Sequence, residues 1–241
     1  MRRFYAPPEQ FVGDTVTLSA EETRHLRDVL RLHAGDEARL FDGEGCEFLC
    51  KIAKVGKSAA ELQTLREIEP AAPESDLDLR LAAAVYKNDK FDLVVQKAVE
   101  LGVARISPLV TLRSEAKLRD AVKRTERWRK IALEATKQCE RARIMAIDEP
   151  MSFEDFVAGV DPKSGLLLMF SEKEGKGIPE ETVQKKITAL VGPKGGWDDS
   201  DIQLAEECGF LPIKLGRRIM RAETAAITFA ALLQHRFGDL N

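Results

Sequence analysis

Five short apolar runs, separated by helical patterns, constrain the fold of this 241-residue chain more than any other feature. The runs are LRLAAAVY, RISPLV, GLLLMF, ITALVG and FLPIKLG, and each has the length of a buried strand. Between them, apolar residues recur with the period of a helix, as in FDLVVQKAVEL, for which Asn88 is a candidate N-cap. Strands that alternate with helices predict an α/β domain with a largely parallel sheet.

The first 72 residues have a different pattern. The stretch SAEETRHLRDVLRL, residues 19–32, begins with a capping box formed by Ser19 and Glu22, and short runs with strand character surround it. EIEPAAPESD, residues 67–76, contains two prolines and no apolar periodicity, which is typical of a linker. The sequence therefore predicts a small β-rich domain over residues 1–72 and an α/β domain over residues 73–241.

Composition excludes several classes of protein. No apolar stretch reaches the roughly 18–20 residues that span a bilayer, and the first residues lack the apolar core of a signal peptide, so we expect a cytoplasmic protein with no membrane association. The four cysteines and three histidines are too scattered to predict a metal site.

Charge is unevenly distributed along the chain. The net charge is −3, yet residues 80–147 carry 16 Lys and Arg against 8 Asp and Glu. The stretch KLRDAVKRTERWRK, residues 117–130, is a candidate surface for phosphates, with a solvated helix face as the alternative.

Two loops at predicted strand ends carry the strongest functional signal. ITALV runs into Gly192, Pro193, Lys194, Gly195 and Gly196, and FLPIKL runs into GRRIMRAET, residues 216–224. Open α/β sheets bind ligands at the carboxyl ends of their strands. Glycines allow a ligand to approach the backbone closely, and proline stiffens the turn. A loop of the form GPKGG taken singly is more often a connecting turn, so its pairing with the second loop matters.

These loops resemble the C-terminal motifs of the SPOUT methyltransferase superfamily. Within it the chain resembles the ribosomal small-subunit methyltransferase E family, through RRFYA at the start, HLRDVLRLHAGDEARLFDGEG at 25–45, KNDKFDLVVQKAVELGVARISPLVTLRS at 87–114 and RWRKIALEATKQCERAR at 127–143. The resemblance implies an N-terminal PUA-like RNA-binding barrel, a C-terminal domain with a trefoil knot, and a homodimer. It also implies methyl transfer from S-adenosylmethionine to N3 of a uridine in the 16S rRNA of the small ribosomal subunit.

The resemblance assigns roles to individual residues. Arg221 is expected to favour the anionic form of the uridine, and Glu223 to orient this arginine or to accept the proton; a structural pair with Glu223 or a helix cap is the alternative for Arg221. The residues expected to bind S-adenosylmethionine are Met169, Phe170, Glu172, Gly192, Pro193, Gly195, Gly196, Leu215, Gly216, Ile219, Met220, Arg221 and Thr224.

The expected RNA contacts lie in two places. Glu134, Gln138 and Arg141 have the spacing i, i+4 and i+7, which predicts one shared helix face. Arg2, Arg3 and Arg24 are the candidates in the N-terminal domain, where an ordinary exposed role is the alternative.

The sequence departs from the family pattern at Lys194, where the family usually carries Glu. Two other functions therefore stay open: a non-catalytic RNA-binding or ribosome-assembly factor, and a knotted methyltransferase that acts on another RNA position.

Overall fold

The computed structural model describes residues 2–86, 89–114, 116–173, 175–181 and 184–240. The predicted N-cap Asn88 lies outside these residues. By internal contacts the chain divides into a first unit, Met1–Glu74 with Thr136–Ile144, and a second unit, Ser75–Ala135 with Met145–Asn241. None of the described helices is long and apolar enough to cross a membrane.

The first unit is built on a six-stranded sheet with one short α-helix. The strands are β1 (Arg3–Tyr5), β2 (Phe11–Val12), β3 (Thr15–Thr17), β4 (Glu37–Phe41), β5 (Glu47–Val55) and β6 (Ala60–Ile68), and the helix is α1 (Ala20–Arg24). The strand order is β1-β4-β5-β6-β3-β2. Only the β1–β4 pair is parallel among the described strands of this sheet. A 3₁₀ turn spans Pro8–Gln10, and one π-helical turn, His25–Val29, continues α1.

Local sequence explains the turns of this unit. The hydroxyl of Ser19 caps α1 by accepting from the backbone N–H of Glu22 at 3.2 Å, as predicted. The second half of the predicted capping box is wrong, because the Glu22 carboxylate pairs with Lys137 and does not reach back to the start of the helix. Asp42 closes the β4–β5 hairpin, because one of its carboxylate oxygens accepts from three successive backbone N–H groups at 2.8–3.0 Å. Apolar side chains on the inner face of the sheet, such as Phe4, Leu40 and Ile52, form the core.

The second unit contains the predicted parallel sheet. Its strands are β7 (Asp78–Ala84), β8 (Arg105–Val110), β9 (Ala146–Ile147), β10 (Met151–Ser152), β11 (Leu166–Phe170), β12 (Lys186–Val191) and β13 (Leu211–Ile213). Its helices are α2 (Lys90–Glu100), α3 (Leu118–Val122), α4 (Thr125–Gln138, whose last three residues belong to the first unit), α5 (Phe153–Gly159), α6 (Asp199–Glu207) and α7 (Ala222–Phe237).

All described strand pairs of this sheet are parallel. The order is β10-β8-β7-β12-β11-β13, with β9 beside β8. The mixed α/β fold class predicted from the sequence is therefore confirmed. Because β12, β11 and β13 are neighbours and run the same way, the loops that follow them leave the sheet at one edge.

Helices cover the sheet and explain its apolar strands. The apolar face of α7 packs against α2, β7 and β12, which buries Ala226, Phe229 and Leu233 completely. A second core cluster contains Phe153 and Trp197 together with side chains from β11 and β12. The continuous apolar stretch of α7 thus has a partner within its own unit.

Candidate functional site

A cavity of about 250 Å³ lies at the carboxyl ends of the strands of the second unit. Three chain segments form its wall: the end of β11, the glycine loop (residues 192–196) that follows β12, and the arginine-rich segment (residues 216–224) that leads into α7. The lining residues are Phe170, Glu172, Val191, Gly192, Pro193, Lys194, Gly195, Gly196, Ile219, Met220, Ala222 and Ala225.

Most of the residues expected to bind the cofactor line this cavity. Those that do not are Met169, Leu215, Gly216, Arg221 and Thr224. The expectation for Met169 needs correction, because its side chain is fully buried in the core cluster with Trp197. Adjacent side chains of a strand point to opposite faces of the sheet, so Met169 and Phe170 cannot both face the cavity. Phe170 is the one that lines it.

Two of the three glycines of the glycine loop are required by the fold, for different reasons. A Cβ atom at Gly192 would lie 2.8 Å from the indole of Trp197, whose N–H donates to the Phe170 carbonyl at 2.8 Å. Gly196 has a φ of +72°, and a Cβ atom there would lie 2.1 Å from a Glu172 carboxylate oxygen. The fold therefore needs glycine at both positions.

Gly195 differs from its neighbours. A Cβ atom at this position would meet only the side chain of Arg113, at 3.7 Å, which is ordinary van der Waals contact. Gly195 is exposed and its φ does not demand glycine. The surface of the loop at Gly195 is thus open to a ligand.

Arg221 stands at the N-cap position of α7 with an exposed side chain. Its guanidinium makes no hydrogen bond to the helix end, and no ion pair or hydrogen bond joins it to any residue that the structure describes. Glu223 forms its ion pair with Lys90 instead, with 2.9 Å between Nζ and Oε1. The Arg221 side chain therefore forms neither a helix cap nor an ion pair with Glu223, while its backbone carbonyl accepts from the Ala225 N–H at 2.8 Å.

The environment of Glu223 keeps it ionised. Burial acts to raise the pKa of Glu223, but the hydrogen bonds from Lys90 and from its own backbone N–H, with the charges of Lys90 and Arg221, hold that pKa below its ordinary value. A carboxylate with a lowered pKa is a weak base, so this geometry favours an orienting or electrostatic role for Glu223 over proton acceptance.

Lys90 and Tyr86 are site neighbours that the sequence did not identify. The Tyr86 hydroxyl donates to the Gly192 carbonyl at 3.4 Å, the long end of hydrogen-bond distances. Burial, reinforced by the negative charge of Glu223, raises the pKa of Tyr86, so this hydroxyl stays protonated. Tyr86 is 106 positions from Gly192 in the sequence, and Lys90 is 133 positions from Glu223, so no local sequence pattern could predict either contact.

The prediction of one helix face for Glu134, Gln138 and Arg141 is wrong. Helix α4 ends at Gln138, and Glu140 has a φ of +66°, which turns the chain away from the helix axis. Glu134 and Gln138 are exposed, whereas Arg141 is 4% exposed.

Two of the arginines expected to contact RNA have structural partners. Arg141 forms a two-point ion pair with Glu74, at 3.2 and 2.6 Å. The Arg3 side chain pairs with the buried Glu47, lies over the ring of Phe41 and donates to the Arg141 carbonyl at 2.7 Å. Direct RNA contact by Arg3 or Arg141 would require these buried pairs to open, so neither suits that role.

Arg2 and Arg24, by contrast, are exposed. In the basic stretch 117–130, Arg124, Arg127 and Arg129 form ion pairs with acidic neighbours. Exposed cations without an ion pair to any described residue remain there at Lys117, Lys123 and Lys130.

Comparison with known proteins agrees with this geometry. Residues 73–234 match the family model described as RNA methyltransferase domain, and residues 18–65 match the model described as RNA methyltransferase PUA domain. The ribosomal RNA small subunit methyltransferase E of Synechocystis sp. is 33% identical over 230 residues, which cover 92% of this chain and 74% of that protein.

Two solved structures are similar over nearly the whole chain. One is a ribosomal RNA small subunit methyltransferase E from Neisseria gonorrhoeae bound to S-adenosyl methionine, with a TM-score of 0.89, 32% identity and complete coverage of both chains. The other is a methyltransferase from Legionella pneumophila in complex with its cofactor SAM, with a TM-score of 0.87, 35% identity, and coverage of 99% of this chain and 98% of that one. This chain belongs to the ribosomal RNA small subunit methyltransferase E family.

Proposed function

We propose that this protein transfers a methyl group from S-adenosylmethionine to N3 of a specific uridine in the 16S rRNA of the small ribosomal subunit. The observation that carries the proposal is the cavity that the glycine loop and the arginine-rich segment form together. Membership of the methyltransferase family supports the reaction, and the resemblance of the motifs supports the uridine N3 position.

The cavity wall suits S-adenosylmethionine. It combines exposed loop backbone at Gly195 with apolar side chains at Ile219 and Met220 and with the carboxylate of Glu172, so it can meet both apolar and charged parts of a ligand. We propose that the glycine loop, Glu172, Ile219 and Met220 hold this cofactor. When bound, the cofactor supplies an electrophilic methyl group for an in-line displacement.

The residues beside the cavity would act on the acceptor. N3 of uridine carries a proton that must leave before or during transfer, and a nearby cation lowers the cost of the anion. The exposed guanidinium of Arg221 is the candidate for this role. Glu223, held by Lys90, would help to orient Arg221 through its negative charge, and solvent would accept the proton.

RNA binding is proposed to involve both domains. We propose a PUA-like RNA-binding domain over residues 1–72, with Arg2 and Arg24 toward RNA, and a knotted methyltransferase domain over residues 73–241. Glu134 and Gln138 remain candidates for RNA contact because they are exposed. We also propose that the protein is a homodimer, on the basis of the family resemblance, and that it is cytoplasmic, on the basis of its composition. Light scattering of the purified protein tests the dimer.

A second candidate function is motivated by Lys194. This lysine is exposed and lines the cavity, where the family usually carries Glu, so it changes the charge beside the cofactor. A non-catalytic RNA-binding factor would retain RNA affinity and fail to bind S-adenosylmethionine.

The deciding experiment is transfer of a labelled methyl group to small subunits and to naked 16S rRNA that lack the modification. Nuclease digestion and mass spectrometry then locate the methylated nucleotide. A single 3-methyluridine is the expected product. Methylation of another position would support a different knotted methyltransferase, and the absence of label in both substrates would reject the enzymatic proposal.

A further inference from the structure

Arg113 lies against the glycine loop from outside the cavity. Its guanidinium donates to the carbonyls of Trp197 at 3.2 Å and Gly195 at 3.5 Å, and it pairs with the Asp198 carboxylate at 2.7 Å. The aliphatic part of its side chain also lies 3.7 Å from the position that a Cβ atom at Gly195 would take. One side chain thus contacts three points along four successive residues.

The loop that carries Arg113 is itself held in place. It follows β8, and the Ser114 hydroxyl accepts from the backbone N–H of Thr111 at 2.9 Å while the Ser114 N–H donates to the Thr111 carbonyl at 3.0 Å. Because β7 separates β8 from β12, Arg113 reaches the glycine loop across the edge of the sheet. This fixed turn gives Arg113 a rigid base.

The contacts fall beside the peptide unit that joins the two consecutive glycines of the loop, Gly195 and Gly196. The Gly195 carbonyl and the Gly196 N–H belong to one peptide unit, and that N–H donates to the Pro193 carbonyl at 3.0 Å. Arg113 and Pro193 therefore hold this peptide unit from both ends. Glycine peptides lose the most conformational entropy when they become ordered, so a loop ordered in advance binds a ligand more tightly.

We propose that Arg113 is a positioning residue that holds the glycine loop in the conformation required for S-adenosylmethionine binding. The inference rests on the proposed function of the cavity. A planar guanidinium can donate to two carbonyls and a carboxylate together, whereas the ammonium of lysine is a compact donor that does not reproduce this fork. The shape of arginine, and not its charge alone, is what the site uses.

The test compares Arg113→Ala, Arg113→Lys and wild type by calorimetric titration with S-adenosylmethionine and by steady-state methylation. Arg113→Ala should raise the Kd of S-adenosylmethionine by about tenfold, equivalent to about 1.4 kcal/mol, and leave kcat at saturating cofactor within about twofold of wild type. Arg113→Lys should recover only part of the affinity. Arg105→Ala is the matched control, since this exposed arginine lies at the start of β8, far along the strand from the glycine loop, and likewise pairs with an aspartate, Asp148.

Hydrogen exchange of the peptide that covers residues 192–198 provides a readout without cofactor. Faster exchange there in Arg113→Ala, but not in Arg105→Ala, supports the inference. An unchanged Kd, a loss of binding-competent sites at unchanged Kd, or full rescue by Arg113→Lys would overturn it. If wild type itself does not bind S-adenosylmethionine, the proposed function fails, and exchange at the loop still decides whether Arg113 orders it.

Discussion

Replacement of Gly192 by alanine should destabilise the second unit, and the structure gives the size of the effect. The new Cβ atom would lie 2.8 Å from Cε2 and 2.9 Å from Nε1 of Trp197, whereas carbon atoms in contact prefer about 3.5–4.0 Å. Either the indole or the loop must move by roughly 0.7–1.2 Å. Trp197 is 1% exposed, packs on Phe153 and donates to the Phe170 carbonyl, so there is no free space for this movement.

The cost follows from two terms. Overpacking of a core costs about 1–3 kcal/mol, and weakening of a buried hydrogen bond adds about 1 kcal/mol. A total of about 2–4 kcal/mol corresponds to a fall in Tm of about 4–16 °C for a chain of this size. Thermal unfolding followed by near-UV circular dichroism, which reports the environment of Trp197, is the assay.

Gly195→Ala is the matched control, because its Cβ atom would meet only Arg113 at an ordinary distance. We expect its Tm to stay within about 2 °C of wild type, as for surface substitutions. A Gly192→Ala protein as stable as Gly195→Ala would refute the packing of Trp197 against the glycine loop.

Four further predictions concern charged residues and salt. Arg221→Ala should lower kcat by at least about tenfold with little change in the Kd of S-adenosylmethionine, as expected for a group that acts on the acceptor; an equal loss of both would contradict this role. Lys90→Ala should destabilise by about 0.2–1 kcal/mol at neutral pH, because Lys90 is partly exposed. The pKa of Glu223 is lowered from its ordinary value of 4.5, so its ionised carboxylate stabilises the folded state at pH values above 4.5. The difference in Tm between wild type and Lys90→Ala should therefore shrink, and should not grow, as the pH falls below 4.5. Arg141→Ala should lower Tm by breaking the Glu74 pair, and loss of RNA affinity at unchanged Tm would instead restore its assignment as an RNA contact. RNA affinity should fall with added salt in a filter-binding assay, and an affinity that does not depend on salt would argue against phosphate contacts.

The sequence predicted the site best where the signal was local. Loops at the ends of neighbouring parallel strands gather at one edge of the sheet. The glycine loop could therefore be grouped with Ile219 and Met220 from the sequence alone. The cap at Ser19 was predictable for the same reason, since its partner is three positions away.

Contacts between distant segments were not predictable. The Lys90–Glu223 pair and the contacts of Arg113 join residues more than 80 positions apart. The turn at Glu140 places a non-glycine residue at positive φ, and no pattern in the sequence predicted this. That turn removes Arg141 from the helix, and residues 136–144 fall in the first unit although the proline-rich linker predicted a single boundary near residue 72.

The most direct test of the central claim is calorimetric titration of wild type and Gly195→Val with S-adenosylmethionine. A Cβ atom at Gly195 would meet only Arg113 at an ordinary distance, so valine should leave the second unit folded, while its branched side chain crowds Arg113 and shifts the loop backbone that lines the cavity. We predict saturable binding to wild type and its loss in Gly195→Val at unchanged Tm. Equal binding by both proteins, or no binding by folded wild type with and without the small ribosomal subunit, would contradict the assignment of this cavity.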